Sequence, residues 1–365
     1  YGEIYTRFGV ATTDTHSFVN PALAPNLRFA RPGDVIFAAV GETIEDVGNA
    51  VAWLGAANVA VHDDCFIYRS ALEPRYVAYF TQSEAFRAPK RSRVARAKVK
   101  RLSSDALAAL TIPAPPLDVQ REIVSILDNF AGLETQLEAE LEAELRARRR
   151  QFDAARAALV RRDHTDSVAL SDLGKWVGGI TPSKSEPRYW IDGTIPWLTS
   201  MDVSQSQGRE IRGFVTEAAI EETALAVHPA PAVAVVMRSN VLRRFLPIGL
   251  VRRPTAVNQD VRLLVPREGV SAAYVYHALQ AARNELASSC VRTDGSMAAV
   301  EPKRFFAWQI PLPTYARQVE LADRLDALEA VVDDLSIGLP AELNARRKQY
   351  EYYRDKLLTF PEVAA

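Results

Sequence analysis

One stretch of this chain occurs twice, and the second copy follows the first at a constant separation of 198 residues, from position 112 to 310 and from 147 to 345. Ile112-Pro113-Ala114-Pro115 returns as Ile310-Pro311-Leu312-Pro313, and the ARRRQF motif at 147–152 returns as ARRKQY at 345–350. Solenoid repeats have periods of roughly 20–50 residues, so a period this long corresponds to a whole domain together with a helix. The sequence therefore predicts two similar halves related by a pseudo-two-fold axis, directed at a target that itself has two parts.

The composition is that of a globular protein and excludes several other classes. The 365 residues suffice for two or three domains with their own cores, and 48% of them are hydrophobic. Cys65 and Cys290 do not occupy equivalent positions in the two halves, which predicts a reduced cytoplasmic protein without structural zinc. The longest apolar runs, such as 230–237, are far too short to span a bilayer.

The net charge of -1 is unevenly distributed along the chain. Segments 1–111 and 168–309 contain more Lys and Arg than Asp and Glu, whereas segments 112–167 and 310–365 contain more acidic than basic residues. This division is typical of globular parts that meet a polyanion and of helices that do not.

Each copy of the repeat begins with Ile-Pro-x-Pro, where proline removes backbone donors and enforces an extended chain. Behind it, apolar residues recur at steps of three and four over about 40 residues, which predicts helices roughly 60 Å long. Such a helix with one apolar stripe is not stable alone in water, so we expect the two to pair as an antiparallel coiled coil. Gly338-Leu339-Pro340 interrupts the second pattern, and we expect a kink or a break there.

The segments in front of the two helices have the mixed pattern of α/β domains. Short apolar runs at 34–39 and 232–236 predict strands, and 272–287 predicts a helix. With similar globular parts in front of both helices, an antiparallel helix pair would place those parts at opposite ends.

The duplication extends into these globular parts. Ala60-Val61-His62-Asp63-Asp64 returns as Ala256-Val257-Asn258-Gln259-Asp260. By that register Tyr1 corresponds to about Trp197, and we expect the first domain to lack the counterpart of 168–196.

The order of globular part, Ile-Pro-x-Pro helix, globular part and Ile-Pro-x-Pro helix resembles the specificity subunit of type I restriction-modification systems, the HsdS family. The resemblance covers essentially the whole chain, and the conjunction of motifs is specific although each short motif is not. This sequence departs from the family pattern in its shortened first domain and its interruption at Pro340. The residues that carry the resemblance are Ile112–Val124 and Ala345–Phe360, with further matches at Gly179–Ser183, Tyr189-Trp190, Ile195–Trp197 and Tyr1–Gly9.

The resemblance implies an α/β fold class, with two α/β target-recognition domains in a pseudo-two-fold arrangement separated by the long antiparallel helical coiled coil. The predicted parts are a first target-recognition domain at 1–111, a first spacer helix at 112–167, a second domain at 168–309 and a second spacer helix at 310–365. Each domain would read one half of a bipartite target in double-stranded DNA, and the helices would set the spacing.

The implied partners are two methyltransferase (modification) subunits and restriction subunits with motor and nuclease activity. S-adenosylmethionine, ATP and magnesium (Mg) are expected on those subunits, and no cofactor is expected on this chain. The clusters at 148–150 and 346–348 are repeated, which favours a docking face for the methyltransferase subunits over plain helix surface. The candidate docking residues are Arg148, Arg149, Arg346, Arg347 and Tyr350.

Basic and polar residues of the globular parts are the candidates for DNA contact. The segment from Arg87 to Arg101 is dense in Lys and Arg and has no acidic residue, so its charges repel one another unless solvent or phosphate screens them. We interpret it as a loop on DNA, with a solvated basic face as the alternative. The candidate residues are Arg7, Thr12, Thr13, His16, Lys90, Arg91, Arg93, Arg96, Lys98, Lys100, Arg101, Lys184, Ser185, Arg188, Arg238, Arg243, Arg244, Arg292, Thr293, Ser296 and Lys303.

No catalytic constellation is recognisable in the sequence. The 5 histidines lack metal-ligand spacing, and no HExxH, Walker A or GxSxG motif occurs. Asp63-Asp64 fits a turn better than a metal site. We therefore expect a DNA-reading module and not an enzyme. The alternatives are a coiled-coil scaffold with protein-binding globular ends, and an enzyme with a diverged site.

Overall fold

The computed structural model describes residues 1–94, 99–162 and 166–360, and the chain divides into two compact units. Unit 1 consists of Tyr1–Glu142 and Gly338–Ala365, and unit 2 consists of Ala143–Ile337. Each unit therefore contains one globular part and one segment from each of two long helices.

The globular part of unit 1 is built on a four-stranded sheet in the order β1-β5-β3-β7. Strands β5 and β7 run antiparallel to the buried central strand β3, and β1 runs parallel to β5. The elements are α1 Glu3–Thr6, β1 Ala11–Thr12, β2 Arg28–Ala30, β3 Val35–Ala38, β4 Val40–Gly41, β5 Ala50–Trp53, β6 Val59–Val61, β7 Cys65–Tyr68, α2 Pro74–Phe80, α3 Glu84–Arg93, β8 Lys100–Arg101, α4 Ser104–Ala108 and α5 Leu117–Arg162, with a 3-10 helix at Pro21–Asn26.

The globular part of unit 2 shares the three antiparallel strands of this sheet, but its fourth strand, β10, lies at the opposite edge from β1. Its main sheet has the order β10-β16-β13-β14 and is antiparallel throughout, and a second sheet has the order β12-β11-β15. The elements are β9 Ser167–Ala169, β10 Gly174–Gly178, β11 Ile195–Leu198, α6 Ser200–Ser206, β12 Gly213–Val215, α7 Glu217–Glu222, β13 Ala232–Val236, β14 Ile248–Val251, β15 Ala256–Val257, β16 Val261–Pro266, α8 Ala272–Ala281, α9 Arg283–Cys290, β17 Val291–Arg292, β18 Ala299–Val300, α10 Pro302–Phe306, β19 Gln309–Pro311 and α11 Tyr315–Leu358, with 3-10 helices at Leu170–Asp172, Pro187–Tyr189 and Asn240–Arg243.

Local sequence explains the central elements. Strands β3 (VIFA) and β13 (AVAVV) are buried along their whole length, which suits their continuous runs of small and β-branched residues. Helix α2 begins with Pro74, whose fixed φ suits the first helical turn. Helix α6 begins with a capping box in which Thr199 and Asp202 satisfy each other's backbone N–H groups.

The two long helices run antiparallel within each unit, as the apolar stripe predicts. In unit 1, Arg347 of α11 donates to Glu134 and Glu138 of α5 at 2.9 and 2.6 Å. In unit 2, Arg156 of α5 donates to Glu329 of α11 at 3.1 Å. Because later residues of one helix meet earlier residues of the other in both units, the pairing is antiparallel. Among the residues described above, no helix is both long and apolar enough to cross a membrane.

The expected break at Pro340 is not present. Helix α11 continues from Tyr315 to Leu358 with Pro340 inside it. Pro340 is exposed, and at an exposed position water can hydrogen-bond the carbonyl that loses its N–H partner.

The repeated proline segment and the repeated glutamine form the same joint in each unit. In unit 1, the Gln120 side chain donates to the carbonyl of Pro115 at 2.7 Å and accepts the N–H of Glu73 at 2.9 Å. In unit 2, Gln318 donates to the carbonyl of Pro313 at 2.7 Å. Both glutamines are buried, so each joint ties the start of a long helix to its own globular part.

A buried tyrosine strengthens each joint. Tyr76 of α2 donates its hydroxyl proton to the carbonyl of Pro113 at 3.1 Å, and Tyr274 of α8 donates to Pro311 at 2.9 Å. Proline has a fixed φ and holds the residue before it in an extended conformation, which suits a segment whose carbonyls accept from these tyrosines and glutamines.

Candidate nucleic-acid interface

The repeated sequence at 60–64 and 256–260 folds into the same turn in both units. In unit 1, the N–H of Asp64 donates to Nδ1 of His62 at 3.0 Å. In unit 2, the N–H of Asp260 donates to Oδ1 of Asn258 at 3.1 Å. The carboxylates of Asp64 and Asp260 are thereby placed identically at the start of β7 and β16.

Each of these carboxylates holds one exposed arginine. Arg101 donates from a terminal nitrogen to Asp64 at 2.9 Å, and Arg238 donates from Nε to Asp260 at 2.9 Å. The arginine side chains are 58% and 56% exposed, while the aspartates are 28% and 18% exposed. A guanidinium has five N–H donors, so the anchoring bond leaves others available to a ligand.

The two arginines approach their aspartates from opposite strands. In unit 1, Arg101 of β8 pairs across from Val40 of β4. In unit 2, Arg238 bridges to Ala299 of β18. At the repeat separation of 198, Arg238 corresponds to Val40 and Ala299 corresponds to Arg101. The arginine therefore lies on the other strand of this pair in unit 2, although both units have the ion pair. Each unit therefore has an exposed guanidinium held by the equivalent aspartate but supplied from a different strand.

An exposed arginine braces the loop between β17 and β18. Arg243 donates to the carbonyls of Thr293 and Gly295 of this loop at 2.8 and 2.7 Å. Of the predicted contact residues, Thr293 and Ser296 are exposed on the loop, and Arg292 is exposed at the end of β17.

Residues 87–93 of the basic run do not form the loop that the sequence predicts, because they belong to helix α3, Glu84–Arg93. Lys90 points into the core with 1% of its surface exposed, and its ammonium donates to the carbonyl of Val47 at 2.6 Å. Burial lowers the pKa of Lys90 to about 8. Its placement as a DNA contact is therefore wrong: the aliphatic stem fits the apolar face of α3, and buried carbonyls satisfy its charge.

Other members of the run have partners at the surface. Arg91 pairs with Glu84 at 2.6 Å, and Arg93 donates to the carbonyl of Pro89 at 2.9 Å. Lys100 of β8 is half-buried. Arg96 and Lys98 lie outside the described residues.

The remaining candidates are mostly exposed residues of the two globular parts. In unit 1, Thr13 donates to Asp14 at 2.8 Å, and the ring of His16 stacks on Phe8 with centroids 5.3 Å apart. In unit 2, Arg188 pairs with Glu222 at 2.9 Å. The other candidates are Arg7, Lys184, Ser185, Arg244 and Lys303, which are exposed, and Thr12, which is half-buried.

The predicted docking residues serve partly within the helix pair. Arg149 pairs with Asp333 at 3.5 Å inside unit 2. In unit 1, Arg347 bridges to α5, and Tyr350 packs its ring 6.2 Å from that of Phe130. The exposed Arg148 and Arg346 make only intrahelical ion pairs among the contacts described, and their role in docking stays a prediction.

Sequence reasoning did not find a buried charge network in unit 2. Nε2 of His277 lies 3.0 Å from Asp326, and Glu329 accepts from Arg156 and from the hydroxyl of Tyr276, each at 3.1 Å. Burial lowers the pKa of His277 to about 4 and raises the pKa of Glu329. The ligand atoms of His277, Asp326 and Glu329 lie within 4.8 Å of one another. Arginines neutralise both carboxylates, so the arrangement fits a structural ion-pair network better than a metal centre.

Comparison of the sequence with known proteins identifies the family of this chain. The family model described as Type I restriction modification DNA specificity domain matches residues 42–147 and 163–345. The specificity subunit of an Escherichia coli type I restriction enzyme is 32% identical over 252 residues, which are 68% of this chain and 61% of that subunit. A type I specificity subunit of Methanocaldococcus jannaschii is 26% identical over 175 residues, 46% of this chain and 39% of that subunit. The chain thus spans less than two thirds of the length of these relatives.

Two solved structures share the fold. A chain from a study of complex assembly and conformational transition in the type I R-M system has a TM-score of 0.73 at 16% identity, covering 91% of this chain and 83% of that one. The HsdS subunit from Thermoanaerobacter tengcongensis has a TM-score of 0.59 at 16% identity, covering 90% of this chain and 81% of that one. From the match of the family model across most of the sequence, the chain belongs to the family of type I restriction-modification DNA specificity domains.

Proposed function

We propose that this chain is the DNA-recognition subunit of a type I restriction-modification complex. Each globular part reads one half of a bipartite sequence in double-stranded DNA, and the helix pair sets the distance between the two halves. The chain itself performs no catalysis. Methyltransferase and restriction subunits supply the chemistry with S-adenosylmethionine, ATP and Mg.

One observation supports the proposal most: in both units the equivalent aspartate holds an exposed arginine. An arginine fixed through one nitrogen keeps two further donors in a plane, which is the geometry that pairs with O6 and N7 of guanine. A carboxylate partner also fixes the rotamer before binding, which reduces the entropy lost on contact. A protein-binding scaffold has no evident need to retain such a pair by two different routes.

The test is binding of the chain, co-purified with its modification subunits, to duplex DNA that carries the methylated sequence of its host. We expect that replacing Arg101 and Arg238 together by Ala weakens specific binding by about a hundredfold, since each contact is worth about 1–3 kcal/mol. Arg324→Ala is the matched control, because Arg324 is 59% exposed and also ion-paired, but on α11. Equal affinity of the double variant and wild type for the methylated duplex would refute the role of these arginines.

The spacer role has its own experiment. Removing matched heptads from α5 and α11 shortens the paired helices by about 10 Å at 1.5 Å per residue. Methylated half-sites in the host genome should then move closer by about three base pairs, at 3.4 Å per pair. An unchanged spacing would contradict the proposed use of the helices as a ruler.

A further inference from the structure

The turn that holds Arg238 in unit 2 carries a second exposed polar side chain. Asn258, Gln259 and Asp260 connect β15 to β16, and Gln259 is the exposed residue of the three. Its amide nitrogen lies 3.5 Å from one oxygen of the Asp260 carboxylate, whose other oxygen accepts from Nε of Arg238 at 2.9 Å. The glutamine and the arginine of the proposed interface therefore meet at one carboxylate.

The other end of the Gln259 amide is held by the loop that follows β10. The hydroxyl of Thr181, which is half-buried, donates to Oε1 of Gln259 at 2.7 Å. The amide nitrogen faces the carboxylate of Asp260, because only the nitrogen can donate to it. These two neighbours fix which end of the amide is the donor and which is the acceptor.

Two contacts position Thr181. Gly179 lies so close to the carbonyl of Val257 that a Cβ at this position would be 1.7 Å from that oxygen. The carbonyl of Ile180 accepts the indole N–H of Trp197 at 3.2 Å. Trp197 belongs to β11, which pairs with β15. The loop that carries the threonine is therefore fixed on the same strands that carry the turn.

The backbone of the turn is also held at both ends. The N–H of Asn258 donates to the carbonyl of Leu198 in β11 at 3.0 Å, and the N–H of Asp260 donates to the side chain of Asn258 at 3.1 Å. Gln259 thus extends from a fixed backbone with its amide already oriented. Less conformational entropy is lost on contact with a ligand when the side chain is held in this way.

The remaining hydrogen-bonding groups of this amide define a ligand. A glutamine amide has two acceptor lone pairs and two N–H donors. Thr181 uses one lone pair and Asp260 faces one N–H, so one acceptor and one donor are left side by side. Adenine presents a donor at N6 and an acceptor at N7 in the major groove, which matches this pair. Guanine presents two acceptors there and cytosine one donor, so neither base matches both groups.

We propose that Gln259 reads an adenine in the half-target of unit 2, beside the guanine that Arg238 contacts. The assignment rests on the proposed function and names the base that this part of the interface takes. Successive bases of one strand lie about 3.4 Å apart, which suits two side chains that meet at one carboxylate. Thr181 is a positioning residue, since it holds the amide and does not touch the base.

The experiment measures base preference. The chain, co-purified with its modification subunits, binds duplexes of the host's methylated sequence, synthesised without methyl groups and with one base pair changed at a time. The half-target of unit 2 is the half in which Arg238→Ala relaxes recognition. There, Gln259→Ala should lower the preference for adenine at one neighbouring position at least about fivefold, the lower limit for a bidentate contact.

A matched control uses another exposed glutamine. Gln136 lies on α5 and donates to Glu140 at 2.7 Å, so Gln136→Ala also removes a hydrogen-bonded amide from the surface. Its base preferences should equal those of wild type at every position. Thermal unfolding shows that both variants are folded.

Two further variants separate base reading from a structural role. Gln259→Glu replaces the donor by an acceptor and should change the preference at that position from adenine to cytosine, whose N4 donates. Thr181→Val removes the hydroxyl and should weaken the adenine preference, and Thr181→Ser should restore it. A purely structural role would weaken binding to all duplexes alike.

Three results overturn the assignment: an unchanged base preference in Gln259→Ala, a loss of affinity that is uniform over all duplexes, or a half-target of unit 2 without an adenine beside the guanine. A different pair of results bears on the proposed function itself. Wild-type protein without any base preference, or Arg238→Ala without effect in either half-target, would refute the reading role on which the assignment rests.

Discussion

In unit 1 the hydroxyl of Tyr79 donates to Asp128 at 2.7 Å, and at the same place in unit 2 the ring of His277 contacts Asp326 at 3.0 Å. Arg75 approaches the carboxylate of Asp128 in unit 1, whereas Arg252 approaches that of Asp326 in unit 2. The aspartate is retained and its partners differ. At this pair of equivalent positions, the partners of a half-buried carboxylate have therefore diverged more than the carboxylate itself.

The comparison is most sharply tested at Arg156 and its counterpart Arg354. The two arginines are equally buried, at 6% and 7% exposed, but their partners differ. Arg156 reaches across to Glu329 on the other helix, which is 15% exposed, whereas Arg354 pairs with its neighbour Asp355, which is 31% exposed. We expect Arg156→Ala to destabilise unit 2 by about 3–5 kcal/mol, because it leaves a buried carboxylate unpaired. Arg354→Ala should cost unit 1 clearly less. Urea denaturation followed by hydrogen exchange in each unit measures both, and equal losses would contradict the contrast.

The shared glutamine joint should give the opposite result, with similar effects in the two units. Gln120→Ala removes two hydrogen bonds and Gln318→Ala removes three, and each variant leaves a backbone N–H and a proline carbonyl without their glutamine partner. We expect each variant to lose about 2–3 kcal/mol. The measurement is the denaturant midpoint of the affected unit. A large loss in only one unit would show that the joints are not equivalent in energy.

The histidine in unit 2 predicts a pH dependence that unit 1 does not share. Burial lowers the pKa of His277 to about 4, from the usual histidine value of 6.5. Between these values the unfolded chain binds more protons than the folded one, so stability is complete above about pH 6.5 and falls as pH decreases toward 4.

The expected loss from His277 is about 2 kcal/mol at pH 5, at most about 1.4 kcal/mol per pH unit. His277→Gln keeps a donor to Asp326 and does not titrate, so it should flatten the dependence in this window. Unfolding free energies of wild type and variant from pH 7 to pH 5 provide the measurement. Parallel curves would show that His277 does not titrate as its burial implies.

The smallest expected effect distinguishes the two reading arginines by half-site. Under the proposed function, Arg101→Ala should relax recognition in one half of the DNA target and Arg238→Ala in the other. Each should cost about 1–2 kcal/mol against the methylated duplex. Methylated-adenine mapping in a host that carries each variant measures the change. Relaxation of the same half-site by both variants would contradict the assignment of one domain to one half.

The fold was largely predictable because its signals are long. The 198-residue repeat, the heptad-like stripe and the apolar strands at 34–39 and 232–236 each extend over many residues, so tertiary context could not reverse them. The interruption at Pro340 was a short signal. The expected break was wrong because a helix can lack one N–H donor at an exposed position and still continue.

The candidate site was less predictable, because a basic residue's charge does not say which way its side chain points. Lys90 and Arg243 carry the same charge as Arg101 and Arg238, but Lys90 is buried on carbonyls and Arg243 supports a loop. The aspartates that hold Arg101 and Arg238 were within reach of sequence reasoning, since the repeat preserves Asp64 as Asp260. What no sequence pattern supplied was the change of strand between the two arginines.

In both joints the glutamine side chain binds only main-chain atoms: a proline carbonyl on one side, and the N–H of Glu73 or of Ser271 on the other. These hydrogen bonds do not depend on which side chains the attached domain carries. Under the proposed function, recombination at this seam can attach a different recognition domain, and with it a different half-target, to the same helix.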